Sequence, residues 1–136
     1  MTDPSSPEVA VLCALDRRGV ATLTLNRPEK GNRYNQAMLD TLVAETARLG
    51  ADPTVRAIVL RAGGKHFCVG AEIGDEQPTA KDAPRASIPG LCLAFDSLPK
   101  PTIALVHGAC IGGGVALVSC CDIVIAARGA FFRCRR

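Results

Sequence analysis

Apolar and polar positions fall in blocks along this chain, and each block predicts an element. Residues 9–15 and 20–25 are β-prone apolar runs separated by Asp16-Arg17-Arg18-Gly19, which predicts a hairpin. Residues 26–32 are a polar loop containing Pro28 and Gly31. Asn35 suits a helix N-cap. Met38, Leu39, Leu42, Val43 and Leu49 then recur at helical spacing, with Gly50 as the expected stop. Residues 57–60 are a wholly apolar run, as in strands buried on both faces. Residues 62–70 are a turn-rich loop holding three glycines. Acidic residues follow, and then a Pro- and Ala-rich stretch, 77–89, expected on the mobile surface. Leu91, Cys92, Phe95 and Leu98 predict a short helix ahead of Pro99. Residues 102–106 and 123–126 read as two more buried strands, and Gly112-Gly113-Gly114 opens an apolar helix over 115–120.

A hairpin followed by repeated strand–loop–helix units is the pattern of an α/β sheet with helical crossovers. Two of the units are alike. Ala57-Ile58-Val59-Leu60 leads to Gly70-Ala71, and Ile103-Ala104-Leu105-Val106 leads to Gly112-Gly113. Each closes a buried strand with glycines at an expected helix start. A helix N-terminus leaves N–H groups unpaired and carries partial positive charge, and glycine lets a ligand atom approach the backbone. Two such turns aimed at one point would make a two-donor oxyanion hole, suited to a thioester carbonyl that becomes an enolate or a tetrahedral oxyanion. The competing reading is that each cluster makes only a tight turn. A phosphate loop is a weaker rival, because neither G-x-x-x-x-G-K-[ST] nor G-x-G-x-x-G occurs.

Composition narrows the function classes. The 136 residues fit one domain. No apolar run reaches the roughly 18 residues of a membrane span, and residues 1–7 are polar, without a signal-peptide pattern. A cytoplasmic location and no membrane partner are therefore expected. The net charge is +3, and Arg133, Arg135 and Arg136 account for it, so the rest of the chain is neutral. With one Tyr and no Trp there is no basic–aromatic patch, and no nucleic-acid partner is expected. The seven cysteines form no C-x-x-C pair, and Cys120 and Cys121 are adjacent, which suits neither zinc nor a disulfide framework. They read as small buried hydrophobes in a reducing compartment. A catalytic thiol at Cys68 or Cys110 is the sharper alternative, with His66 two residues from Cys68.

Four segments then match a known family in order and spacing. They are Thr22-Leu23-Thr24-Leu25-Asn26-Arg27-Pro28-Glu29-Lys30, Val55-Arg56-Ala57-Ile58-Val59-Leu60, Phe67-Cys68-Val69-Gly70-Ala71-Glu72-Ile73, and Lys100-Pro101-Thr102-Ile103-Ala104 running on through Gly108, Gly112-Gly113-Gly114 and Cys121-Asp122-Ile123. The chain resembles the enoyl-CoA hydratase/isomerase (crotonase) superfamily over residues 9–132, with a polar tail at 1–8 and an atypical basic tail at 133–136. The resemblance implies an α/β crotonase-like spiral of ββα units, a trimeric or hexameric assembly, and an acyl-CoA thioester as substrate with no separate cofactor and no metal. It implies that the backbone N–H groups of Ala71 and Gly113 form the oxyanion hole, and that Ala71, Glu72, Ile73 and Gly74 line the acyl-CoA site. Lys30 would approach the CoA nucleotide; a solvated surface lysine is the competing reading.

Three departures shape the expected chemistry. Glu72 stands where most relatives have Asp. Ala116 occupies the position where many hydratases carry a catalytic Glu, so hydration by two carboxylates is not expected, since that reaction needs a positioned acid and base. Glu72, Asp75 and Glu76 are the acidic residues nearest the first turn, with loop solvation as the plainer reading. Relatives run to about twice this length, and the match gives way after Phe132 to Arg133-Cys134-Arg135-Arg136. A truncation or a change of reading frame is expected there, leaving the chain weakly active or inactive, prone to aggregate, and unable to assemble as its relatives do. The alternative function is a non-catalytic remnant that binds acyl-CoA or the subunits of a longer relative.

Overall fold

The computed structural model describes residues 9–72 and 86–134. Among them the chain runs β1 (Val11–Leu15), β2 (Val20–Leu25), a 3-10 turn (Pro28–Lys30), α1 (Gln36–Ala51), β3 (Ala57–Ala62), α2 (Ile88–Asp96), β4 (Thr102–Val106), β5 (Ala109–Ile111), α3 (Gly113–Ser119), β6 (Ile123–Ala126) and β7 (Phe131–Arg133). The predicted hairpin forms, with β1 antiparallel to β2 and Leu15 opposite Ala21. Asp16 closes its turn by accepting from the N–H groups of Arg18 at 2.8 Å and Val20 at 3.0 Å, the local bond that favours Asp in turns. The sheet then continues in parallel, in the order β1-β2-β3-β4-β6.

Parallel neighbours need crossovers, and here every crossover has two parts. After β2 come Tyr34 and α1. After β3 come residues 68–71 and then α2, and after β4 come β5 and α3. The short extended pieces pair in parallel with one another: Tyr34 with Ala71, Cys68 with Cys110, and β5 with β7. They build a small second layer, and this is the ββα spiral that the resemblance implies. The core lies between the sheet and the helices. Leu23, Leu25, Ile58, Leu60, Ala104 and Val106 meet Met38, Leu42, Leu91, Phe95, Leu117 and Val118 there.

Helix α1 starts as expected, with the Asn35 carboxamide oxygen accepting from the Met38 N–H at 2.9 Å. It buries Met38, Leu39, Leu42, Thr46 and Leu49, while Val43 is half-buried at the margin. Thr46 tolerates burial because its hydroxyl donates to the Leu42 carbonyl at 2.7 Å. Gly50 does not stop the helix, which ends one residue later at Ala51. A Cβ at Gly50 would lie 2.8 Å from Leu98 Cδ2, so the glycine serves close packing there. The helix ends at the extended Asp52, which precedes Pro53, and the Lys100 ammonium caps the end by donating to the carbonyls of Leu49 and Asp52.

Two further expectations change. Residues 86–89 lead into α2 instead of belonging to a mobile surface stretch: Ser87 Oγ accepts from the Gly90 N–H at 3.1 Å, and Pro89 sits in the first turn. Residues 73–85, which include Ile73, Gly74, Asp75 and Glu76, lie outside the described residues. Strand β6 forms at the predicted place, anchored by Asp122 Oδ2 accepting from the Thr102 N–H at 2.9 Å, but it is not buried. All four of its residues are exposed, Ile123 by 52% and Ile125 by 56%. It forms the sheet edge beyond β4, and the described residues do not cover its side chains.

Asn32 joins the first loop to the second. It is fully buried with φ 55°, a left-handed conformation that Asn tolerates better than most residues. Its oxygen accepts from the Arg27 N–H at 2.7 Å, and its amide donates to the Gly63 and His66 carbonyls, both at 2.8 Å. Asn32→Ala should lower unfolding free energy by about 2–4 kcal/mol, because three buried polar groups lose their partner; urea titration followed by circular dichroism measures it, and a change under about 0.5 kcal/mol would refute it. The apolar edge gives a second expectation. Ile123, Ile125, Phe131 and Phe132 are all exposed, and such a patch on a sheet edge promotes association. Light scattering should rise with protein concentration and fall in the double variant Ile123→Lys, Ile125→Lys. A monodisperse monomer at all concentrations would overturn this.

Candidate functional site

The site is set by register. Phe67 N–H donates to the Ala109 carbonyl at 3.1 Å and Ile111 N–H to the Cys68 carbonyl at 2.9 Å, so residues 67–69 run parallel to β5 with Cys68 opposite Cys110. Two residues further on, the glycine turns stand side by side: a Cβ on Gly112 would lie 4.0 Å from the Gly70 Cα. Gly70 has φ 105° and Gly112 φ 60°, conformations that favour glycine. Beyond these turns come Ala71 on one strand and Gly113, the first residue of α3, on the other.

Both following N–H groups are left free. Tyr34 N–H donates to the Gly70 carbonyl at 3.0 Å, and Glu72 N–H donates to the Tyr34 carbonyl at 2.9 Å. This parallel pairing brackets Ala71, so its own N–H faces away from Tyr34. Gly113 lies in the first turn of α3, where no helical carbonyl reaches the N–H. Neither group has an acceptor among the described residues. Both border one cleft of about 570 Å³, whose walls include Gly70, Gly112, Tyr34, Glu72, Val115 and Ala116. Glycine at 113 leaves room for the Tyr34 ring, since a Cβ would fall 2.3 Å from Tyr34 Oη and would force the ring to shift.

Of the acidic candidates, Glu72 is at the cleft. Its carboxylate accepts from Arg27 at 2.9 Å and from Lys30 at 3.3 Å. The Arg27 guanidinium first, and the Lys30 ammonium after it, hold the Glu72 carboxyl below the usual range. It stays ionised and engaged. Lys30 is an exposed surface residue whose ammonium lies beside the Glu72 carboxylate. Ala116 places a methyl group on the cleft wall, at the position where the sequence lacks a carboxylate.

The alternative of a catalytic thiol finds no support in the geometry. Cys68 and Cys110 are both buried. Burial pushes the Cys68 thiol up and the Cys110 thiol up to about 12, so both stay protonated. His66 Nδ1 is occupied, accepting from the Ala109 N–H at 3.0 Å. Two lining residues escaped the reading of the sequence, Tyr34 and Cys134. Tyr34 is the single tyrosine and adjoins the Asn35 cap. Its place at the cleft follows from a bridge to a residue far away in sequence, which spacing does not reveal.

Known proteins share this arrangement of elements. The family model described as enoyl-CoA hydratase/isomerase matches residues 16–135. A mouse protein named Delta(3,5)-Delta(2,4)-dienoyl-CoA isomerase, mitochondrial, is 37% identical over 131 residues, covering 86% of this chain and 40% of that protein. The enoyl-CoA hydratase ACTT6 of Alternaria alternata is 35% identical over 118 residues, covering 87% of this chain and 40% of that protein. A crystal structure of an enoyl-CoA hydratase from Mycobacterium smegmatis superposes with a TM-score of 0.83 at 39% identity, covering 92% of this chain and 50% of that one. The chain therefore spans 40% of the length of these two curated relatives. No helix among the described residues is long and apolar enough to cross a membrane. By the extent of the family match and the shared fold, the chain belongs to the enoyl-CoA hydratase/isomerase family.

Proposed function

We propose that this chain binds an acyl-CoA thioester in the cleft, with the thioester oxygen accepting from the N–H groups of Ala71 and Gly113. The observation that carries the reading is the pair of unpartnered amides beside adjoining glycine turns, on one cleft wall. Such donors are fixed before charge develops, so they stabilise an enolate or tetrahedral oxyanion more than the neutral carbonyl. Glu72 lines the approach. In this reading the exposed Lys30, beside Glu72, meets the anionic nucleotide end of CoA; its exposure and its charge support that role. The ester supplies its own CoA, and the reading needs no further cofactor.

Among the described residues the cleft offers charge stabilisation and no free carboxylate. Ala116 carries no proton, and Glu72, the carboxylate among the described lining residues, is held by two cations. The 136-residue chain accordingly binds and polarises the ester but turns it over slowly. Oligomer formation belongs to the same reading, because association would cover the apolar side chains of β6 and β7.

Acetoacetyl-CoA tests the amides directly, since its enolate has its own ultraviolet band. Ala71→Pro removes one N–H and should reduce the bound enolate-to-keto ratio about 100-fold, while binding of free CoA is kept. An unchanged ratio in the folded variant would sink the assignment of Ala71. Ala116→Glu should accelerate exchange of the α-hydrogens of butyryl-CoA with deuterated solvent by about 100-fold, the effect of a positioned base. Proton NMR follows the exchange. Tight binding without faster exchange would show that position 116 does not face the α-carbon.

A further inference from the structure

Among the described residues, the Tyr34 hydroxyl is a polar side-chain group at the cleft that the ion-pair network does not use, and it sits directly beside Gly113. The partly buried ring packs against the hydrophobic core and shares a small apolar cavity with Leu25, Met38, Leu91 and Leu117. Its polar tip reaches the cleft. The hydroxyl makes no hydrogen bond among the described residues. No side-chain polar atom that is fully buried lacks a partner among them, so the phenol oxygen opens to the cleft.

The distance to the amide pair is constrained by Gly113. An ideal Cβ there would stand 2.3 Å from Tyr34 Oη, which puts the phenol oxygen within about 4 Å of the Gly113 Cα and about 5 Å of its nitrogen by bond geometry. A single acceptor atom can therefore lie at hydrogen-bond distance from both donors, which need be no more than about 6 Å apart. Tyr34 also pairs through its backbone with Gly70 and Glu72, on either side of Ala71. The same residue thus fixes the orientation of the Ala71 amide and carries a donor of its own. Burial, and next the neighbouring Cys68, push the phenol up from its usual range, so at neutral pH it holds its proton and donates.

We propose that the Tyr34 hydroxyl is a third hydrogen-bond donor to the thioester oxygen of the bound acyl-CoA, adding a side-chain donor to the backbone pair of Ala71 and Gly113. This rests on the acyl-CoA reading above and deepens it. Two backbone donors leave room around an enolate oxygen, which accepts three hydrogen bonds when water surrounds it. A phenol anchored in the core supplies the third without a mobile water. Hydrogen bonds to a charged acceptor are stronger than those to a neutral one, so the contribution falls on the enolate and little on the keto ester. The α-proton lost on enolisation passes to buffer, and Tyr34 keeps its own.

Tyr34→Phe tests this, because it removes one oxygen and keeps the ring that packs against the core. The full chain is titrated with acetoacetyl-CoA at one neutral pH, and the enolate band and the dissociation constant are recorded for wild type, Tyr34→Phe and Ala71→Pro. Free CoA, which has no acyl carbonyl, serves as the binding control, and far-ultraviolet circular dichroism checks the fold. The expected result is an enolate-to-keto ratio about tenfold lower in Tyr34→Phe than in wild type, with affinity for free CoA unchanged. A purely structural role would lower CoA affinity and helicity together and would overturn the proposal. An unchanged ratio in Tyr34→Phe beside a large loss in Ala71→Pro overturns it while leaving the amide reading intact. A wild-type chain that binds the ester without enriching the enolate overturns the amide reading, and the third donor with it.

Discussion

The parallel bridge between Cys68 and Cys110 is the constraint on which the site depends. It brings two segments over forty residues apart into one register, and the glycines two positions later are then neighbours by necessity. A slip of one residue would turn every alternate group the other way. Ala71 would lose its bracketing by Tyr34, and the two free amides would no longer share a cleft. Both cysteines are buried and small, and their burial keeps them inert. Their contribution is to let two strands and the start of α3 approach closely.

Around that bridge, several polar groups are fixed by partners, while the Ala71 and Gly113 amides and the Tyr34 hydroxyl stay unpartnered among the described residues. Asn32 satisfies an N–H and two carbonyls at the back of the first two loops. Arg27 and Lys30 hold Glu72 at the rim. Asp122 and Thr102 pin the start of β6 to β4. Buried polar groups are costly unless paired, and no fully buried side-chain polar atom among the described residues lacks a partner; the unpaired N–H groups sit at an open cleft instead. Glu72 gives its charge to the loop, and Ala116 contributes a methyl group to the cleft lining.

Much of the fold was legible from local chemistry. The hairpin between β1 and β2, the Asn35 cap, the apolar stripe of α1 and the β3 and β4 runs all follow from residue type and spacing, and the structure places each where the pattern does. The departures have one cause in common. Gly50 reads as a helix stop until Leu98 is seen packing on it. Residues 123–126 read as a buried strand because they are apolar, yet an edge position leaves them open. The short strands β5 and β7 are too brief for any periodic signal, and they exist through their pairing with each other.

For the site, the sequence by itself determined the two glycine turns, the family they belong to, and the absence of a carboxylate at Ala116. These are properties of residues and of their spacing along the chain. Tertiary structure alone decided that the Ala71 and Gly113 amides face one cleft, that Glu72 is neutralised by Arg27 and Lys30, and that Tyr34 stands against Gly113. Those facts depend on contacts between residues far apart in the chain. Hydrogen-bond direction and side-chain approach are settled by how separate strands meet, which local preference does not encode.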